Sequence, residues 1–221
     1  MQLFTSSIGR KVLMAISGQS MVLFVIVHLL GNSSVFAGPG GLNSYAEHLH
    51  SMPLPIIAAF RIVMLIFVCV HIWFGIQVTI ENSGGRPRQY AVKATQKATF
   101  ASENMIWTGV LILAFIIYHL LQFTFRVTPD VAAFAGQVPG NVFGMVLTSF
   151  KNLFISLIYA VAMAALFLHL SHGVQSFFQT MGWNNDRTQC GITKAGTLVA
   201  LILGVGFVAI PLTILLGILK G

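Results

Sequence analysis

Charge is scarce in this sequence. Lys, Arg, Asp and Glu together make up 8% of its 221 residues, and only five of them are acidic. A soluble domain carries about a quarter charged residues, so a fold with a water-facing outside is excluded. Cysteine is nearly absent too. Cys69 lies in an apolar run and Cys190 in a polar loop, and no Cys-x-x-Cys-His occurs. That leaves no disulfide framework and no covalent haem attachment, and Cys69 is expected to behave as a small buried hydrophobe. Carboxylates are missing from the apolar stretches apart from Glu81, at the end of the second one. A transporter working through a histidine relay usually needs such groups in the membrane, which weighs against that class. The twelve basic residues are spread between apolar runs, so they suit membrane orientation and no nucleic-acid partner is expected.

Apolar residues make up 56% of the chain. They gather in five segments at about 12–31, 56–80, 104–125, 152–180 and 195–219, each near the ~20 residues that span a bilayer core. Backbone in lipid must satisfy its own hydrogen bonds, so all five are read as helices of a single 1–221 bundle, an all-α integral membrane fold. Turn chemistry separates them: Gly38-Pro39-Gly40-Gly41, Ser83-Gly84-Gly85-Arg86-Pro87, Val138-Pro139-Gly140-Asn141 and Gly182-Trp183-Asn184-Asn185. Arg10 and Lys11 ahead of a run ending Val35-Phe36-Ala37 mimic a signal peptide. The run exceeds the about 7–15 residues of a secretory core, so no cleavage is expected.

Orientation follows from the basic residues. Arg10, Lys11, Arg86, Arg88, Lys93, Lys97, Arg187 and Lys194 fall on one side, against Arg61, Arg126, Lys151 and Lys220 on the other. This asymmetry predicts a cytoplasmic N-terminus and a C-terminus on the opposite face. Trp107 and Trp183 fall near the predicted interfaces, where indole rings collect.

Five of the seven histidines lie inside the spans, and each of the first four spans has at least one. A single one reads equally well as a satisfied helix–helix contact. Four in register point to function, because ionisable groups in a bilayer are costly and face the bundle interior. His28 lies 17 residues beyond Lys11, or ~25 Å across at 1.5 Å per residue. His119 shares that depth, while His71 and His169 fall late in the two inward-running spans. The four therefore sort into His28 with His119 and His71 with His169. Neutral imidazole is a standard axial ligand, and a b-type haem between two helices takes one from each. Two haem b groups between the first four helices follow.

The surroundings repeat. The second span reads His71-Ile-Trp-Phe-Gly75-Ile-Gln77 and the fourth His169-Leu-Ser-His-Gly173-Val-Gln175. A glycine one turn after the ligand leaves room for a porphyrin plane. In the first and third spans, Gly18 precedes His28 and Gly109 precedes His119, by ten residues each. His172 competes with His169 as ligand, but only His169 reproduces the spacing of His71 to Gly75, which leaves His172 as a neighbour of the haem edge. Gln77, Gln175, Lys11, Arg86 and Arg88 are candidates to reach haem propionates, Arg being well suited to carboxylates. Topology alone also accounts for the cations.

On the Ser7-Ile-Gly-Arg-Lys11 start, His28, the Arg86-Pro87 and Tyr90 loop, Thr108-Gly109 with His119, and the stretch from His169 to Trp183, the chain resembles a known family. It is similar to the single-subunit, five-helix dihaem cytochrome b anchors of succinate dehydrogenases and quinol:fumarate reductases. The resemblance implies iron ligation by His28 and His119 in a distal haem and by His71 and His169 in a proximal one. It further implies a flavoprotein and an iron–sulfur subunit on the cytoplasmic side, an inner-membrane location and a quinone substrate, with menaquinone favoured over ubiquinone. The dicarboxylate chemistry would then reside in the partners. Some dihaem members carry a glutamate two residues before the ligand of the fourth span, whereas Phe167 stands there here. Quinone-site residues vary in the family; the local candidates are Glu47 and His50, in the loop after the first span. The alternative reading is a dihaem anchor of a hydrogenase or formate dehydrogenase, and only the partner subunits separate the two.

Overall fold

A computed structural model describes residues 4, 6–84 and 99–220 of the chain. Its elements, in order, are α1 (Ser7–Asn32), a 3-10 turn (Ser33–Ala37), α2 (Gly38–Ser51), α3 (Leu54–Gly84), α4 (Phe100–Glu103) and α5 (Met105–His119). A π turn (Leu120–Thr124), a 3-10 turn (Ala132–Phe134), α6 (Val142–Phe150), α7 (Leu153–Thr180) and α8 (Gln189–Leu215) complete it. The helices α1, α3, α5 with its π turn, α7 and α8 are long and apolar enough to cross a membrane. The protein is a five-span membrane bundle.

Polar side chains start the helices. The Ser6 hydroxyl accepts from Gly9 N–H at 3.0 Å to open α1. Asn141 takes the Gly144 N–H to open α6, and Asn152 takes those of Phe154 and Ile155 to open α7. Such caps satisfy donors that the helix leaves over. Inside α1 the buried Ser17 donates to the carbonyls of Leu13 and Met14, which makes a hydroxyl tolerable in an apolar span.

The spans pack in neighbouring pairs: α1 along α3, α5 on α7, α1 on α7, and α7 along most of α8. Small residues bring the last pair close. A Cβ at Gly196 would lie 3.3 Å from Val174 and one at Gly204 3.4 Å from Phe167, the close backbone approach that membrane helices use. Leu23, Val27, Leu65, Leu198 and Val205 are exposed, forming the outward apolar face that lipid covers. Cys69 also lies exposed rather than buried, because it falls on the outward side of α3.

The segment read as a loop between the first two spans is different. Residues 38–51 form α2, with Gly38 at φ 76° ending the preceding 3-10 turn and a proline at its first positions. Proline is well suited there, where its missing N–H would have no partner. Glu47 and His50 therefore sit on a helix at the end of the bundle away from the N-terminus. At that same end Asn43 Oδ1 accepts from Phe143 N–H at 2.9 Å, tying α2 to α6. At the N-terminal end Arg10 and Glu81 form an ion pair between α1 and α3. Glu81, the acid of the second span, thus serves a helix–helix contact.

Candidate functional site

The histidine rings come together as two pairs. His28 and His119 have ring centroids 5.9 Å apart, and His71 and His169 have theirs 6.1 Å apart. His172, half-buried on α7, is in neither pair. The His71 ring rests against Gly18 of α1, where a Cβ would meet Cε1 at 2.9 Å, and the His169 ring rests against Gly109 of α5 at 3.4 Å. Gly18 and Gly109 thus seat the imidazoles of the other pair, a role their spacing to His28 and His119 did not reveal. It also fixes the separation of the pairs. His28 lies ten residues beyond Gly18 and His119 ten beyond Gly109, so the pairs are about 15 Å apart along the helices.

Three of the four rings have one nitrogen committed. His71 Nδ1–H donates to the Met14 carbonyl at 3.0 Å, an atom that can only accept. His169 Nδ1 lies 3.1 Å from Thr108 Oγ1. The Thr108 hydrogen is directed at the Asn104 and Met105 carbonyls, so its oxygen accepts from His169 Nδ1–H. His119 Nδ1 lies 2.9 Å from the Tyr159 hydroxyl, which in turn donates to Gln122 Oε1 at 2.7 Å. Again the imidazole is the donor. In all three the neutral ring keeps its lone pair on Nε2, the tautomer that a metal ligand needs. His28 is held by Phe24, stacked at 5.3 Å, and by Phe207 at 5.9 Å.

These features suit axial ligation of haem. Metal–nitrogen bonds of about 2 Å on both faces of a porphyrin put two imidazole centroids ~6 Å apart, the separation that both pairs have. A Cβ at Gly173 would meet nothing within 4 Å, and one at Gly75 only the Met14 sulfur at 3.9 Å. The other predicted haem neighbours are placed less tellingly. Gln175 donates to Ser171 O and accepts from Thr193, so it ties α7 to α8; Lys11 is exposed and Gln77 half-buried. Arg86 and Arg88 lie outside the described residues.

A cleft of about 380 Å³ opens beside the His28–His119 pair, lined by His50, Met52, Ile57, Arg61, Phe123 and Arg126, among others. Phe123 links the two, its ring centroid being 5.5 Å from that of His119. His50 gives its Nδ1–H to Ala46 O at 2.8 Å, leaving Nε2 as the acceptor of the neutral ring. Glu47, three residues earlier, is exposed and does not line the cleft. Arg126 has φ 55°, an uncommon backbone for a non-glycine residue and one that clusters at functional sites. Neither arginine was legible as a cleft residue, since both read simply as flanking cations.

Behind His119 lies a polar cluster that the sequence did not announce. Gln122 and Ser149 are fully buried. Gln122 Nε2 donates to Asp130 Oδ2 at 2.7 Å and to Ser149 Oγ at 3.3 Å, and Ser149 donates to the same Asp130 oxygen. With its oxygen taken by Tyr159, the Gln122 amide can sit only one way round. Burial pushes the Asp130 carboxyl up, but the hydrogen bonds from Ser149 and Gln122 outweigh it and hold the carboxyl below its usual range. The cluster exists because the helix slips into a π turn after His119, with Phe125 N–H bonded to Leu120 O at 2.8 Å. Such single π turns are rare and frequent at functional sites.

Residues 11–102 match the family model described as the succinate dehydrogenase/fumarate reductase transmembrane subunit. Comparisons with curated proteins and with solved structures returned no match.

Proposed function

We propose that this chain, whose residues 11–102 match the succinate dehydrogenase/fumarate reductase transmembrane-subunit model, is an electron carrier with two b haems, working between an iron–sulfur subunit and a membrane quinone. The observation that carries this reading is the double pairing of intramembrane histidines, with ring centroids 5.9 Å and 6.1 Å apart and Nδ1 committed elsewhere on three of the four. His71 and His169 would hold the proximal haem and His28 and His119 the distal one. Haem iron supplies the one-electron chemistry when bound; the chain fixes ligand, burial and hydrogen bonding, which set its potential. Gly18 and Gly109 position the proximal imidazoles, and Phe24 and Phe207 orient His28.

The cleft beside the distal pair supports quinone exchange there. It is mainly apolar with a few polar groups, as small-molecule sites are, and Phe123 separates it from His119 by one ring. A quinone takes up two protons with two electrons. His50 can pass a proton through Nε2, while Arg61 and Arg126 supply positive charge for an anionic quinone oxygen. His50 is thereby favoured over Glu47. The distribution of basic residues supports a cytoplasmic N-terminal end, where the iron–sulfur subunit would dock next to the proximal pair. The family match also favours this assembly over a hydrogenase or formate dehydrogenase anchor.

Purification with the partner subunits tests the reading. The complex is expected to hold two b haems per copy of this chain and to exchange electrons between succinate or fumarate and a quinone. One haem or none per chain would overturn it.

A further inference from the structure

One cluster, with Gln122, Ser149 and Tyr159 buried and Asp130 half-buried, has no task in the proposed electron path. Asp130, Gln122, Ser149 and Tyr159 form an ordered chain of hydrogen bonds that ends on His119. Every donor and acceptor in it has a fixed sense. His119 Nδ1–H donates to Tyr159, Tyr159 donates to Gln122 Oε1 at 2.7 Å, and Gln122 Nε2 donates to Asp130 at 2.7 Å. Four aromatic neighbours enclose the tyrosine: Phe115, Phe123 and Phe150 meet its ring edge-on, and Tyr118 lies at 6.4 Å. No element of proposed electron transfer needs a carboxylate here, and a hydrophobic side chain at 122 would fill the same space without one.

We propose that Asp130, acting through Gln122 and Tyr159, is a positioning and tuning device for His119 that lowers the reduction potential of the distal haem relative to a neutral surrounding. The inference rests on the reading of His28 and His119 as haem ligands. The carboxylate draws the Gln122 amide hydrogens, which makes Gln122 Oε1 a stronger acceptor. The Tyr159 O–H is then polarised toward it, and the phenol oxygen becomes a better acceptor for His119 Nδ1–H. Hydrogen bonds in series reinforce one another in a low-dielectric interior. The result is a more basic imidazole, and second-shell partners of histidine ligands work in this way. A more basic ligand favours the ferric form. Among the described residues the proximal pair has no such relay: His71 donates to a backbone carbonyl and His169 to a threonine hydroxyl. The two haems would thus differ in potential although both have two histidines.

The test is redox titration of the purified complex, following the two haems by their spectra, in wild type and in Asp130→Asn and Tyr159→Phe variants. Asp130→Asn keeps an acceptor for Gln122 but removes the charge. Tyr159→Phe keeps the charge and breaks the relay. Both are expected to raise the midpoint of the distal haem and leave the proximal one in place. Tyr159→Phe should have the larger effect, roughly tenfold toward the ferrous form, or about 59 mV for a one-electron couple. If Asp130→Asn shifts the distal haem and Tyr159→Phe does not, the charge acts through space and the relay is refuted. Unchanged midpoints in both variants, or loss of the haem in place of a shift, also overturn the proposal. His119→Ala separates the underlying reading: a complex that keeps both haems after that change has no haem on His119, and the ligand assignment fails first.

Discussion

Two histidines three residues apart on α7 illustrate how much one side chain decides. His169 shares a pair with His71 and rests on Gly109, whereas His172 is half-buried outside both pairs. His169→Ala is therefore expected to remove the proximal haem, leaving about half of the pigment per chain and one spectral component. His172→Ala should keep both haems. Pigment extraction and difference spectra of the two variants decide it, and the opposite pattern would exchange their roles. Two further neighbours, Glu47 and His50, separate in the same way. His50→Ala should cut quinol-linked turnover by ~10²-fold or more, the usual range for a lost proton-transfer group. Glu47→Gln should stay close to wild type, because Glu47 does not line the cleft. Equal losses in both would place the proton-handling group on Glu47 or beyond it.

At the scale of elements, the five spans and the pairing of their histidines were legible because the bilayer enforces both. Twenty apolar residues must be a helix there, and residue number then converts directly into depth. What the sequence hid is what a linear reading of depth cannot contain. The helix α2 was read as a loop because glycine and proline at 38–41 signal turns, although the same residues also begin helices. The Asp130 cluster stayed hidden because it depends on the π turn. An unbroken α-helix would turn Gln122 to a different azimuth from the one that meets Tyr159. The role of Gly18 was hidden as well, since its partner is on another helix, and it yields a sharp expectation. A Cβ there already meets the His71 ring at 2.9 Å, so Gly18→Val should displace that imidazole. The proximal haem is expected to be lost while the distal one is retained. Gly109→Val, with 3.4 Å to the His169 ring, should show a partial loss of the same haem. Haem stoichiometry in the two variants measures both.

Across the whole molecule the two ends differ in what they present. The N-terminal end has the exposed cations Lys11, Arg187 and Lys194 close to the proximal pair, and the opposite end has the cleft and the distal pair. Docking of an iron–sulfur subunit on the first end predicts that Lys11→Glu combined with Arg187→Glu loosens the complex. Rim charges act mainly on association and salt sensitivity, so the doubly changed complex should lose its soluble subunits at lower salt than wild type. Retention of those subunits at every ionic strength would count against docking through these cations. The distance between the two pairs has one more consequence. About 15 Å is half of the ~30 Å hydrocarbon core, so an electron shared between two haems at these positions senses about half of the voltage across the membrane. At 2.3 kcal/mol per charge for each 100 mV, that is about 1.2 kcal/mol, a roughly sevenfold change in where the electron resides. An energised membrane would therefore bias the bundle toward one direction of flow, and collapsing its voltage would release that bias with no change in any residue.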